Sequence, residues 1–330
     1  LALIRFLRAT LLEGLSTYWM LVKVMIPVMV IVRILVELGA LPILAVVFEP
    51  LMGLVGLPPE LGLVWATVLL VNIYGGAAVL LALLSEVDLT TAQMTVMGTM
   101  ILIAHSLPLE QRVSQRAGVG FVFSSLLRIG GALACGALMD QGYKALDWLQ
   151  TPVDASLLAG DAAPAHEQGW TDWALTNLHS LGMILLIVVG LVLLLRVMDK
   201  AGVTRLLTAA LAPILGAVGI GGRAMPLTMV GILLGLSYGG ALIIKEGQAG
   251  TIPRKDLFLS ICLLSLCHSL IEDSLFIMAL GADWTGVVAF RVVFTLVVIW
   301  SLSRIYGVLP SRAVDHLFFS REGRAVAARV

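Results

Sequence analysis

Runs of about 20 mostly apolar residues recur from Met20 to Leu302, and each is long enough to cross a bilayer as a helix. No other feature constrains the fold as tightly. The chain has 330 residues, 59% hydrophobic and 13% charged, whereas soluble domains carry about 25% charged residues. A soluble core of this size could not hide so much apolar surface. Nothing in the chain alternates with period two, so a β-barrel is excluded and the expected class is an all-α polytopic membrane protein. Basic and acidic residues balance at 21 each, which gives no case for a nucleic-acid partner. Cys135, Cys262 and Cys267 lie within apolar runs, which argues against disulfides.

The apolar segments fall at about 20–38, 61–84, 92–111, 117–139, 178–198, 224–246, 256–280 and 284–303. Residues 1–19, with Arg5, Arg8 and Glu13 among leucines, read as an interfacial amphipathic helix without a signal-peptide cleavage site. Membrane repeats are expected at 20–139 and 178–305, separated by an acidic external loop, 140–177, and followed by a basic cytoplasmic tail, 306–330. If all eight segments crossed, basic clusters at Arg112/Arg116 and Arg196–Arg205 would face outside and the acidic loop inside, against the positive-inside rule. Letting 61–84 and 224–246 enter and return on one side puts every basic cluster inside. The expected arrangement is therefore about six crossing helices plus two re-entrant hairpins, with both termini cytoplasmic in a bacterial inner membrane. Paired glycines near mid-segment, Asn72-Ile73-Tyr74-Gly75-Gly76 and Ser237-Tyr238-Gly239-Gly240, would supply the tips.

The halves repeat at a fixed spacing. Arg33 and Arg196, Pro50 and Pro213, and His105-Ser106-Leu107 and His268-Ser269-Leu270 are each 163 residues apart. Three crossings per half, an odd number, turn the second copy upside down, which makes an inverted-topology repeat of the kind secondary transporters use. This arrangement, with Gly239-Gly240-Ala241-Leu242-Ile243-Ile244-Lys245-Glu246-Gly247 after a hairpin-like Pro213–Gly222 stretch, resembles the Gate or nucleoside-recognition-domain membrane family. That grouping holds spore-maturation-like proteins, the membrane domain of ferrous-iron permeases and, more distantly, concentrative nucleoside transporters. The resemblance covers both halves and implies a two-repeat membrane fold. It assigns no substrate: there is no adjoining GTPase domain and no clear nucleoside-binding motif.

Ionisable groups inside the spans are the sharpest chemical signal, because each costs about 2.5–3.5 kcal/mol on insertion scales. They are His105 with Glu110, and His268 with Glu272 and Asp273. Two histidines and these carboxylates suit a transition-metal site, a proton relay or hydrogen bonding to an organic substrate, or a lock between the halves, and the sequence leaves these open. Substrate-binding candidates are Asn72, Tyr74, Gly75 and Gly76, Ser106, Tyr238, Gly239 and Gly240, and Ser269. Asn72 is equally suited to capping a helix. Arg128 and Arg291 are available to pair with Glu272, Asp273 or lipid headgroups, and Lys245 and Glu246 to snorkel. No resident cofactor is fixed by the sequence; a divalent transition metal or a coupling proton are the candidates. The expected partners are the lipid bilayer, a small solute or cation, and a second copy of the chain. Without a nucleophile elbow, a His-Glu-x-x-His pair or a phosphate loop, no enzyme is expected. The leading reading is a permease working by alternating access, and the alternative is a Gate-like scaffold that transports nothing.

Overall fold

The computed structural model describes residues 2–84, 86–153 and 169–327. The first half is α1 (Ala2–Glu37), α2 (Leu41–Leu54), α3 (Leu61–Leu70), α4 (Ile73–Leu83), α5 (Thr91–Ile103), α6 (Leu107–Arg116) and α7 (Phe121–Ala145). The second half is α8 (Trp170–Lys200), α9 (Val203–Ala217), α10 (Met225–Ala249), α11 (Arg254–Leu266), α12 (Glu272–Ala279), a π-helical turn Thr285–Phe290 and α13 (Arg291–Val308). Two short helices, α14 (Ser311–Phe318) and α15 (Arg321–Ala327), follow. The chain is an all-α polytopic membrane protein. Among the described residues, four helices are long and apolar enough to cross a bilayer: Arg8–Glu37, Phe121–Ala145, Trp170–Met198 and Thr285–Val308. α5 and α6 make a further span bent by 40°. Their counterparts α11 and α12 are interrupted at the same place in the second half.

The 163-residue spacing holds in the backbone. α5 and α11 begin and end on equivalent residues, and left-handed residues recur as Gly39 and Gly202, Gly56 and Gly219, Ser106 and Ser269, and Gly118 and Gly281. Inversion is visible where α1 and α8 pack. The Lys200 ammonium lies 3.8 Å from the Phe6 ring centre, the Tyr18 hydroxyl donates to the Leu181 carbonyl at 3.0 Å, and Arg33 lies over Trp170. Early residues of one helix meet late residues of the other, so these equivalent helices are antiparallel.

Both re-entrant segments turn back. A Cβ on Gly76 would collide with Val68 and lie 3.5 Å from the Val64 carbonyl, so α4 returns alongside α3. In a straight helix Val64 and Gly76 would be separated by about 18 Å. The entrance to α3 lies beside the start of α5, because the Gln93 amide donates to the Gly56 carbonyl at 3.2 Å. α4 ends at Leu83, only eight residues before α5 begins at Thr91, so its end returns to the same place. α10 breaks at Gly235, at φ 78° and ψ 175°. Just before its start, a Cβ on Gly221 would collide with Asp256 on α11. Its end leads through Gly250–Pro253 directly into α11, so this segment too leaves by the face it entered. The two hairpins enter from opposite faces, as inversion requires.

Several boundaries differ from expectation. Residues 2–19 do not form a separate interfacial helix but continue unbroken into the first span, since no proline falls between Ala2 and Pro27. Residues 154–168 of the expected external loop lie outside the described residues. The tail folds back through an ion pair of Arg254 with Asp315 at 2.7 Å and a Gly120 amide donating to the Phe318 carbonyl at 2.8 Å.

Candidate functional site

The site forms where two interrupted spans meet. α5 stops at Ile103 and α6 starts at Leu107, with Ser106 in the left-handed region at φ 46°. Ser269 repeats this at φ 45° between α11 and α12. A non-glycine residue held there is strained by about 1–2 kcal/mol, and surrounding bonds must fix it. The Ser106 amide donates to the Val68 carbonyl at 2.9 Å and its hydroxyl to the Val71 carbonyl at 3.2 Å, tying the break to the hairpin tip. In the second half the Leu270 amide donates to the Ile232 carbonyl at 2.9 Å. Each break thus exposes a helix C-terminus and a helix N-terminus inside the protein, where orphan backbone groups demand partners.

Arginines supply them. Arg128 Nε donates to the Ile103 carbonyl at 2.8 Å and Arg291 Nε to the Leu266 carbonyl at 3.0 Å, again residues 163 apart in each pair. Both side chains are fully buried. A cation at a helix C-terminus also complements the macrodipole, as do the acidic residues Glu110 and Asp273 in the first turns of α6 and α12.

The histidines face each other between these breaks. His105 Nε2 and His268 Nε2 are 3.1 Å apart, and both rings are buried. His105 Nδ1 donates to the Ile101 carbonyl at 2.9 Å, and His268 Nδ1 to the Leu264 carbonyl at 2.7 Å. A carbonyl only accepts, so each Nδ1 carries its ring's proton and each Nε2 presents a lone pair. Glu110 completes the group, with Oε1 at 3.1 Å from His105 Nε2 and 3.5 Å from His268 Nε2. Its Oε2 is held by Arg128.

The equivalent groups are used unequally. Glu110 corresponds to Asp273 at the 163-residue spacing, so Asp273 rather than Glu272 is its partner. Asp273 is buried within 4.8 Å of the ligand atoms of both histidines, yet forms no ion pair among the described residues. Glu272 is half-buried beside it and does not join the cluster. Arg291 makes no ion pair with Asp273 and instead bonds the carbonyls of Leu102 and His268, both at 3.0 Å. Arg128 Nη2, Arg291 Nη1 and both amide atoms of the buried Gln111 have no partner among the described residues.

The hairpin candidates play other parts. Asn72 caps α4, its Oδ1 accepting from the Gly75 amide at 2.8 Å. Gly76 is the contact between the two arms, and Tyr74 packs edge-on against Phe276 with ring centres 5.0 Å apart. Tyr238, Gly239 and Gly240 lie in the second arm of α10, past its break; their side chains are outside the described residues. Sequence reasoning had no role for Gln111 and did not place Arg128 with Glu110. The repeat spacing, which already links Arg128 to Arg291, was the available signal.

No protein-family model and no solved structure matches the chain. It is similar to the uncharacterized membrane protein YvoD of Bacillus subtilis (strain 168), 27% identical over 278 residues, covering 83% of this chain and 86% of that one.

Proposed function

We propose that this chain is a secondary transporter that moves a small solute or cation by alternating access, rather than an enzyme or a passive scaffold. The observation that carries the reading is the contact of His105 with His268 at 3.1 Å between two interrupted, inverted spans. A scaffold has no need of buried ionisable groups at matched positions, whereas a carrier needs a site shared by its two halves. The unequal pairing supports the same reading. In the present state Glu110 takes both histidines and Arg128; in the inverted state Asp273 would take the histidines and Arg291. Chemically equivalent halves in two arrangements are what alternating access requires. The resemblance to Gate-type proteins agrees with this reading. On this proposal the face bearing Arg112, Arg116, Arg254 and Lys255 is cytoplasmic in a bacterial inner membrane, as are both termini.

Alternating access is tested with Ser106→Cys and Ser269→Cys in a chain whose three native cysteines are replaced. Each thiol is exposed to a membrane-impermeant maleimide in right-side-out and inside-out vesicles. Each should react from both faces, at rates that change in opposite senses when one state is favoured. Protection of both thiols from both faces would leave the scaffold reading.

A further inference from the structure

We propose that the occupant of this site is a divalent transition-metal ion, held by His105 Nε2, His268 Nε2 and Glu110 Oε1, with Asp273 in reach as the fourth ligand. The three ligand atoms form a triangle with edges of 3.1, 3.1 and 3.5 Å. Two donors on one tetrahedral ion, with bonds of about 2.0–2.1 Å, stand about 3.3–3.4 Å apart. The triangle therefore has the size of one face of a tetrahedral coordination shell.

The protons agree with this assignment. Both Nδ1 atoms donate to backbone carbonyls, so both Nε2 lone pairs enter one space, with the nitrogens 3.1 Å and the ring centres 4.8 Å apart. Something positive must share that space with them. A proton on His105 Nε2 would have to be shared between His268 Nε2 and Glu110 Oε1, both at 3.1 Å, as a three-centre bond that is well aligned with neither. A metal ion satisfies all three. The backbone bonds at Nδ1 are also the supporting contacts that metal-bound histidines normally make, and Arg128 orients Glu110 in the same way. Asp273, a buried carboxylate without an ion pair among the described residues, is the remaining donor.

Two imidazoles with carboxylate favour zinc, iron, cobalt, nickel or manganese over magnesium or calcium. Arg128 competes for the charge of Glu110, so the ion is held less tightly than by a free carboxylate. That suits cargo, which must leave as well as enter. The identification as cargo rests on the carrier reading; the binding site itself does not.

The test uses the purified full-length protein in detergent, stripped with chelator and titrated with cobalt(II) or zinc(II) alone. Wild type should bind one ion per chain, with the intense visible bands of tetrahedral cobalt bleached by zinc. Losing an outer-shell partner costs about 10–100-fold in affinity, so His105→Ala, His268→Ala and Glu110→Gln should each cost more than about 100-fold. Replacing all three cysteines should change nothing. Absence of stoichiometric binding by wild type overturns the site, and this result does not depend on whether any variant folds. Equal affinity in variants that elute as folded protein overturns it as well. Binding without thiol exposure at Ser106→Cys and Ser269→Cys sinks the carrier and keeps the metal site. Thiol exposure without binding sinks the metal and leaves a proton between the imidazoles.

Discussion

At the residue scale, the two buried arginines look alike and are predicted to behave differently. Arg128 holds the Glu110 carboxylate as well as the Ile103 carbonyl, whereas Arg291 bonds only carbonyls: Leu266, Leu102 and His268. Removing one member of a buried ion pair strands the other, at about 3–5 kcal/mol. Arg128→Gln should therefore lower the thermal midpoint of the purified protein sharply. Adding Glu110→Gln should recover much of that loss, because the stranded charge is gone. Arg291→Gln should be about as harmful, but Asp273→Asn should not rescue it, since those two side chains are not paired. Thermal unfolding of the two double-mutant cycles measures this directly. Additive losses in the first cycle, or rescue in the second, would contradict the asymmetry of the site.

At the element scale, the helix interruptions are where the sequence was legible only in part. Paired glycines correctly marked the two re-entrant segments, but the turns fall just before them, at Val71–Asn72 and at Gly235. The reason is physical: Asn72 caps the returning helix, so the glycines behind it are free to serve close packing, as Gly76 does against Val68. Glycine composition alone does not separate a turn from a close contact. In the same way, the choice between Glu272 and Asp273 depends on helix register after the break, and one residue around a helix moves a carboxylate by about 100°. The arginine partners were not legible because they bond carbonyls that only a break exposes. The glycines can be tested by their different jobs. Gly235→Ala puts a Cβ on a backbone at φ 78° and ψ 175°, a region essentially reserved for glycine, and against Ser269, adding about 1–3 kcal/mol of strain. Gly76→Val overpacks the arm contact, a change that typically costs about 1–3 kcal/mol. Gly222→Ala meets nothing within 4 Å and should be silent. The yield of monodisperse protein should rank Gly222→Ala with wild type and both others below it; equal yields for all would remove the tight tip from the fold.

At the scale of the whole molecule, charge and repeat spacing carried most of the architecture. The positive-inside argument identified which segments return, and the odd number of crossings per half forced the inversion that α1 and α8 display. Their antiparallel contact could not be read beforehand, because apolar helices give no sequence signal for which neighbour they choose. The topology makes one demand that a simple eight-span chain cannot meet: both ends of α10 lie on one face. In a cysteine-free background, Arg223→Cys lies just before that helix and Gln248→Cys in its last turn, both at exposed positions, and Gln150→Cys is exposed on the opposite face. An impermeant thiol reagent added to intact cells should label Gln150→Cys and spare the other two until the membrane is opened. A helix of 25 residues rises about 37 Å if straight, enough to carry its ends to opposite faces, so the alternative is physically real. Labelling of either Arg223→Cys or Gln248→Cys alone from outside would mean that α10 crosses. The His105–His268 contact would then need a different path through the second half. Labelling of all three in opened membranes, with only Gln150→Cys reacting beforehand, is the pattern the inverted hairpins require.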